Sequence, residues 1–172
     1  MNRILLLIVT FFVAQITFAQ NAEITTDAEG NKVIKGFVTI REIATDSSFK
    51  WFGQNMKDYT PDASAVKALK ANKDSIHILA FGGTWCSDTK FILPRFYALT
   101  SAAGFLQDNV TLLGVDHNKK TVQHLSEAFK IENVPTFIVL KNGKEIGRVV
   151  EYGTHGMFDQ ELGEIITAAA KK

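Results

Sequence analysis

The chain has 172 residues, with 19 lysines and arginines, 18 aspartates and glutamates and a formal net charge of +1. Because these charges nearly balance, the chain lacks the basic character of a nucleic-acid-binding protein, and we expect no nucleic-acid partner. It contains one cysteine, which excludes a disulfide within the chain. The length fits a single domain with a substantial hydrophobic core.

The first 19 residues are typical of a secretory signal peptide. Arg3 precedes an apolar run from Ile4 to Val13, which is shorter than the roughly 20 residues that a membrane-spanning helix needs. Small residues then lead to Ala19, after which we expect cleavage. The sequence therefore predicts a protein that starts near Gln20, contacts the membrane only during export, and acts in the periplasm or outside the cell.

Residues 20–73 are predicted to form an N-terminal extension of strands and short helices. A turn signal at 27–31 is followed by a β-branched stretch at 32–40, which indicates a strand and favours a hairpin. Asp46 is suited to cap a short helix. Pro61 is predicted to occupy the first position of a second helix, where its missing N–H group is tolerated.

Residues 74–172 alternate between short apolar runs and amphipathic segments. This alternation favours an α/β fold in which helices flank a central sheet. Asn142-Gly143 predicts a two-residue hairpin turn before the last strand. The predicted order is strand 76–81, helix 86–103, strand 110–115, helix 121–130, strand 136–140, strand 144–150 and a closing helix with Phe158, Leu162, Ile165 and Ile166 on its apolar face.

The single cysteine, Cys86, lies where an apolar strand and two glycines give way to a helix. It stands in the segment Trp-Cys-Ser-Asp-Thr at positions 85–89. Free N–H groups and the positive end of the helix dipole favour a thiolate at such a position. The sequence therefore predicts a reactive thiol, with an inert cysteine packed as a small apolar side chain as the alternative.

Together with Val-Pro-Thr at positions 134–136, this segment resembles the active site of the thioredoxin superfamily, whose motif is Trp-Cys-x-x-Cys. Pro94 inside the predicted helix and the hairpin at 142–143 agree with that resemblance. The resemblance implies a thioredoxin-like fold, with a central mixed sheet flanked by helices, for the core at 74–172. It also implies a cis peptide bond before Pro135, with the proline ring in contact with the sulfur of Cys86.

The resemblance implies that Cys86 attacks a disulfide. Thr89 occupies the position of the usual resolving cysteine, so release of the mixed disulfide would need an external thiol. Asp88 is predicted to act as a proton acceptor or local charge, or only to favour the helix dipole. Ala80 replaces the family's usual buried acid, which predicts slow turnover. The predicted substrate-binding residues are Trp85, Ser87, Val134, Pro135 and Thr136.

Three functions are open at this point. The leading hypothesis is thiol–disulfide exchange by a monomer without a cofactor, acting on protein thiols and disulfides or on small thiols. The second is a peptide-binding module whose thiol is inert. The third is a Cys-His hydrolase, which requires a histidine within hydrogen-bond reach of Cys86. No metal site is predicted, because none of the histidines has a typical ligand spacing: His77, His117, His124 and His155.

Overall fold

The computed structural model describes residues 22–170, so the predicted signal peptide at residues 1–19 lies outside the described residues. Within this range the strands are β1 (Glu23–Thr26), β2 (Lys32–Val38), β3 (Ile76–Gly82), β4 (Val110–Gly114), β5 (Thr136–Lys141) and β6 (Lys144–Val150). They form one sheet in the order β1-β2-β4-β3-β5-β6. The β3–β4 pair is parallel and the other neighbours are antiparallel, which confirms the predicted mixed sheet.

The α-helices of the described range are α1 (Ile40–Thr45), α2 (Lys50–Lys57), α3 (Ala63–Asn72), α4 (Ser87–Ala102), α5 (Leu125–Ala128) and α6 (Phe158–Ala170). Short 3-10 turns occur at Ser47–Phe49, Gln107–Asn109 and Val122–His124. Helix α4 contains Pro94, in agreement with the sequence prediction. None of the helices between residues 22 and 170 is long and apolar enough to cross a membrane.

The sheet separates two hydrophobic clusters, and alternate residues of strand β3 contribute to each of them. Ile78 and Ala80 belong to the larger cluster, which also contains side chains of α1 to α4 and α6. Phe81 belongs to the smaller cluster, against which Trp85 and Cys86 pack. The cysteine loop is therefore anchored on one hydrophobic face of the sheet, at the end of a central strand.

The N-terminal extension joins this sheet through the predicted hairpin, because β2 pairs with both β1 and β4. Asp46 caps the Ser47–Phe49 turn by accepting a hydrogen bond from the backbone N–H of Ser48 at 2.8 Å. The predicted start of helix α3 was wrong by two residues. Asp62 is its N-cap and accepts from the N–H of Ala65 at 2.9 Å. Pro61 consequently precedes the cap and lies outside the helix.

The prediction of one continuous helix at 121–130 was also wrong. That helix is replaced by the Val122–His124 turn and the four-residue helix α5. Gln123 and His124 adopt positive φ angles of 53° and 55°, in the left-handed region that a right-handed helix cannot include. Helical hydrogen bonding therefore restarts only at Leu125.

The predicted hairpin at Asn142-Gly143 is confirmed. Both residues have positive φ angles, 53° for Asn142 and 73° for Gly143, as a type I′ turn requires. Strands β5 and β6 pair directly on either side of the turn, with Lys141 opposite Lys144. This hairpin brings the end of β6 back beside the start of β5, close to Pro135.

Candidate active site around Cys86

Cys86 is the N-cap residue of the 16-residue helix α4. Its backbone N–H donates to the carbonyl oxygen of Gly83 at 2.9 Å, and its half-buried thiol donates to the carbonyl oxygen of Val134 at 3.3 Å. Within residues 22–170, its side chain makes no capping hydrogen bond. The N–H groups of the first turn thus have no side-chain acceptor at the cap.

The opposite side of the thiol is formed by the segment at 134–136. The bond between Val134 and Pro135 is cis, which confirms the predicted cis bond. The carbonyl oxygen of Pro135 accepts from the N–H of Glu151 at 2.7 Å, so the end of β6 is fixed to this segment. Thr136 is only 1% exposed and its hydroxyl donates to Asn133. Its side chain stabilises the loop and does not offer a surface to a substrate.

Thr89, at the position of the usual resolving cysteine, is also only 1% exposed. Its Oγ1 accepts a hydrogen bond from the N–H of Gly83 at 3.2 Å. The hydroxyl group therefore holds the cysteine loop against the first turn of α4. Ser87, the first residue of α4, is exposed at the surface.

Trp85 is held in one orientation by two contacts and by a glycine. Its Nε1 donates to the carbonyl oxygen of Val115 at 3.0 Å, and its ring stacks on the imidazole of His117 with centroids 4.4 Å apart. A Cβ atom at Gly83 would lie 2.7 Å from the indole. The sequence therefore needs glycine at this position for the ring to pack over the loop backbone.

His117 is connected in turn to the N-terminal hairpin, a relationship that the sequence prediction missed. Its Nε2 lies 3.1 Å from Oδ2 of Asp27. Burial raises the pKa of Asp27, but hydrogen bonds from Asn31 and His117 outweigh it and hold the pKa below its usual value. Asp27, Glu29 and His117 also place possible metal-ligand atoms within 4.8 Å of one another. The extension therefore supports Trp85 through an ionised carboxylate.

Asp88 contacts a residue that the sequence prediction also missed. The hydroxyl of Tyr152 donates to Oδ1 of Asp88 at 3.1 Å. The pKa of Tyr152 is raised, first by partial burial and then by the hydrogen bond and charge of Asp88, and Cys86 acts in the same direction. The ring of Tyr152 also lies 6.0 Å from that of Phe91. Its only sequence signal was an aromatic residue in the glycine-rich loop after the last strand.

The histidines do not supply a hydrolase site. His77 contacts Thr111 at 2.8 Å, and the Nε2 of His117 contacts the carboxylate of Asp27. In the part of the chain that the structure describes, the sulfur of Cys86 has no hydrogen-bonded histidine, since its partner is the carbonyl oxygen of Val134. The Cys-His pair that a hydrolase of this type requires is therefore not formed.

Comparisons with solved structures identify the fold. A protein of unknown function from Pseudomonas aeruginosa superposes with a TM-score of 0.54 at 13% identity, covering 80% of this chain and 93% of that chain. An HIV epitope-scaffold superposes with a TM-score of 0.53 at 14% identity and covers 80% and 94%. At these identities the likeness establishes the fold alone.

Comparisons of sequence identify the family. Thioredoxin H2-2 of Oryza sativa subsp. japonica is 37% identical over 86 residues, which are 48% of this chain and 58% of the rice protein. A thioredoxin of Echinococcus granulosus is 30% identical over 109 residues, 63% of this chain and 91% of that protein. The thioredoxin family model matches residues 60–163, which include the Cys86 loop and the cis Pro135. The chain therefore belongs to the thioredoxin family.

Proposed function

We propose that this protein carries out thiol–disulfide exchange on protein clients through Cys86, without a resolving cysteine of its own. The observation that carries the proposal is the position of the thiol, half-buried at the N-cap of α4 and directed at the carbonyl oxygen of Val134. A thiolate is the attacking species in disulfide exchange. Membership of the thioredoxin family supports a redox function in general.

In the first step the thiolate of Cys86 attacks one sulfur of a client disulfide. A bond forms between Sγ and that sulfur, the client disulfide breaks, and its other sulfur leaves with the electron pair as a thiolate. The positive end of the α4 dipole favours the negative charge that Sγ carries in this step. The half-buried sulfur leaves one side open to the client.

The second step needs a thiol from outside this chain, because the sequence contains no other cysteine. Thr89 occupies the family's resolving position, but its hydroxyl cannot replace a thiol in disulfide exchange. A thiol of the client or a small external thiol must therefore attack the mixed disulfide. The first case gives disulfide isomerisation and the second gives net reduction.

A second candidate function is peptide binding with an inert thiol. Phe91, Val150 and Tyr152 are large apolar residues that are each 38% or 39% exposed. Tyr152 contacts both Phe91 and Asp88, so part of this exposed surface lies beside the start of α4. Exposed apolar side chains near a site favour docking of a partner.

The deciding experiment compares the purified protein with Cys86→Ser. We expect the wild-type protein to form stable mixed disulfides with glutathione disulfide and with client proteins, and Cys86→Ser to form none. Alkylation of the native thiol should also proceed readily below pH 8.5, near which a free cysteine ordinarily ionises. A Cys86 that resists alkylation in the folded protein, with peptide binding unchanged in Cys86→Ser, would establish the binding module instead.

We propose further that the protein is exported and monomeric. The apolar run after Arg3 and the small residues before Gln20 support export. Expression in a bacterial host followed by intact-mass measurement should give a chain that starts near Gln20. A secreted chain that retains Met1 would contradict this part of the proposal. Sedimentation of the same material should give the mass of one chain.

A further inference from the structure

A cavity of about 490 Å³ lies between the N-terminal hairpin, the Ser47–Phe49 turn and the start of α4. Two aromatic residues, Phe49 and Trp51, line one side, and their ring centroids are 5.9 Å apart in an edge-to-face arrangement. Asn31, Thr84 and Lys90 line the side next to the cysteine loop. The cavity thus combines an apolar wall with polar groups, as small-molecule sites do.

The cavity shares its wall with the cysteine loop. Thr84 precedes Cys86 by two residues, and its hydroxyl donates to the carbonyl oxygen of Lys32 at 2.8 Å. The N–H of Lys90 bonds to the carbonyl oxygen of Cys86 at 3.0 Å, so Lys90 lies one helical turn after the cysteine. The side chain of Lys90 reaches the N-terminal hairpin, where its Nζ donates to the amide oxygen of Asn31 at 3.4 Å.

Lys90 contributes a positive charge to the cavity. Within residues 22–170, its Nζ donates a hydrogen bond to the amide oxygen of Asn31 and forms no ion pair. Lys32, the other lining cation, is paired with Asp46 and lowers the pKa of that carboxyl to about 2. None of the lining residues that the structure describes is acidic. The free cation therefore favours a ligand with an anionic group.

We propose that this cavity binds the carboxylate end of a low-molecular-mass thiol, and that this thiol releases the mixed disulfide at Cys86. The inference rests on the proposed function, which requires an external thiol and leaves its identity open. Lys90 supplies the charge for the carboxylate, and the aromatic wall accommodates the organic body. Thr84 and Lys90, two residues before and four residues after Cys86, both line the cavity, so the proposal requires the thiol of the bound molecule to reach Sγ from this side of the cysteine loop.

The chemistry uses two molecules of the thiol. The thiolate of the first attacks Sγ of Cys86, the bond between Sγ and the client sulfur breaks, and the client leaves as a thiolate that takes a proton from solvent. The thiolate of the second attacks the small-molecule sulfur now bonded to Sγ. Cys86 leaves as a thiolate and a small-molecule disulfide is released. In total, one client disulfide is reduced and two thiols are oxidised to one disulfide.

The test measures release of a neutral, fluorescent peptide held at Cys86 as a mixed disulfide. The attacking thiols are 3-mercaptopropionate, 2-mercaptoethanol and cysteamine, which carry a negative, a neutral and a positive group. Each rate is divided by the rate with the same disulfide on a short neutral reference peptide, which removes differences in intrinsic reactivity. We expect a normalised preference of about fivefold for mercaptopropionate over mercaptoethanol, since one partly exposed charge pair has an effect of this order.

Variants assign this preference to the cavity. Lys90→Gln should abolish it and Lys90→Glu should reverse it toward cysteamine. Lys67→Gln, at an exposed lysine of α3 that does not line the cavity, should leave it unchanged. Raising the salt concentration should weaken the wild-type preference. A preference that survives in Lys90→Gln, or that is absent from the wild type, overturns the proposal.

A binding measurement separates this proposal from the proposed function. S-methylglutathione carries carboxylates but cannot exchange, and it should shift the amide NMR signals of Asn31, Thr84 and Lys90 in the wild type but not in Lys90→Gln. If Cys86 forms no mixed disulfides while these shifts occur, the proposed function fails and the anion site stands. Absence of the shifts overturns the site. A Lys90 effect confined to capture of acidic client peptides also overturns it, because the cavity would then recognise the client.

Discussion

The hydroxyl of Tyr152 donates a hydrogen bond to Oδ1 of Asp88 over 3.1 Å. This contact joins the loop after β6 to the first turn of α4, two residues after Cys86. The donor disperses part of the carboxylate charge, and the pKa of Tyr152 responds to both Asp88 and Cys86. The negative charge that Asp88 presents near the sulfur therefore depends on Tyr152.

Asp88→Asn should increase the rate of Cys86 alkylation at neutral pH, because removing a nearby negative charge favours the thiolate. We expect an increase of roughly twofold to tenfold. Tyr152→Phe should slow alkylation modestly, since Asp88 then keeps its full charge. In the double variant the Tyr152 substitution should have no further effect, which a double-mutant cycle measures directly. Slower alkylation of Asp88→Asn would instead assign Asp88 the role of a base.

Thr89→Cys should convert the protein into a dithiol enzyme. The substitution places a thiol on the first turn of α4, where it is able to attack a mixed disulfide at Cys86 without an external thiol. Insulin reduction with a thioredoxin reductase system should rise clearly above the negligible activity expected of the wild type. Loss of the Thr89 hydroxyl leaves the N–H of Gly83 without its acceptor, at a cost of about 1 to 3 kcal/mol.

Thr89→Ser is the matched control, because it keeps the hydroxyl but adds no thiol. It should remain inactive in insulin reduction and lose less stability than Thr89→Cys. Mass spectrometry under oxidising conditions should show an internal disulfide in Thr89→Cys only. Equal, negligible activity of both variants would contradict a catalytic thiol at Cys86.

Much of the fold could be predicted because its signals are local. Asn142 and Gly143 tolerate the positive φ angles of a tight hairpin, and such residues indicate the turn from sequence alone. Gln123 and His124 adopt positive φ angles as well, but the sequence at these two positions does not indicate a turn. Next to them, the hydroxyl of Thr121 donates to the carbonyl oxygen of Gly114 and Val122 packs against the smaller hydrophobic cluster. The helical pattern at 121–130 gives no sign of these long-range contacts.

The candidate site likewise contains residues that the sequence predicted and contacts that it could not predict. Cys86 and the cis Pro135 belong to short motifs and were predicted from the family resemblance. The contact of Asp88 with Tyr152 joins residues 64 positions apart, and that of His117 with Asp27 joins residues 90 positions apart. Contacts of this kind have no local sequence signal, because the sheet and its loops create them only after folding.

Gly83→Ala should displace Trp85. The added Cβ would lie 2.7 Å from the indole, closer than packed atoms approach, so the ring must leave its stack on His117 and its hydrogen bond to Val115. Overpacking of this kind costs about 1 to 3 kcal/mol. The measurements are urea unfolding and tryptophan fluorescence. Gly53→Ala is the control, since a Cβ there meets open space, and it should leave both unchanged or slightly increase stability.

Asp27→Asn should reduce stability in a way that depends on pH. Hydrogen bonds from Asn31 and His117 hold the folded pKa of Asp27 below the usual 3.8, so the folded state binds its proton less readily than the unfolded state. The stabilisation is therefore complete above pH 3.8 and is lost as the pH falls through the lower folded value. Urea unfolding from pH 6 downward should show a constant gap between wild type and Asp27→Asn that closes only in strong acid. Asp74→Asn, at an exposed residue of the turn before β3, should show no such gap. A gap that persists at the lowest pH would mean that the charge of Asp27 does not hold the hairpin against His117.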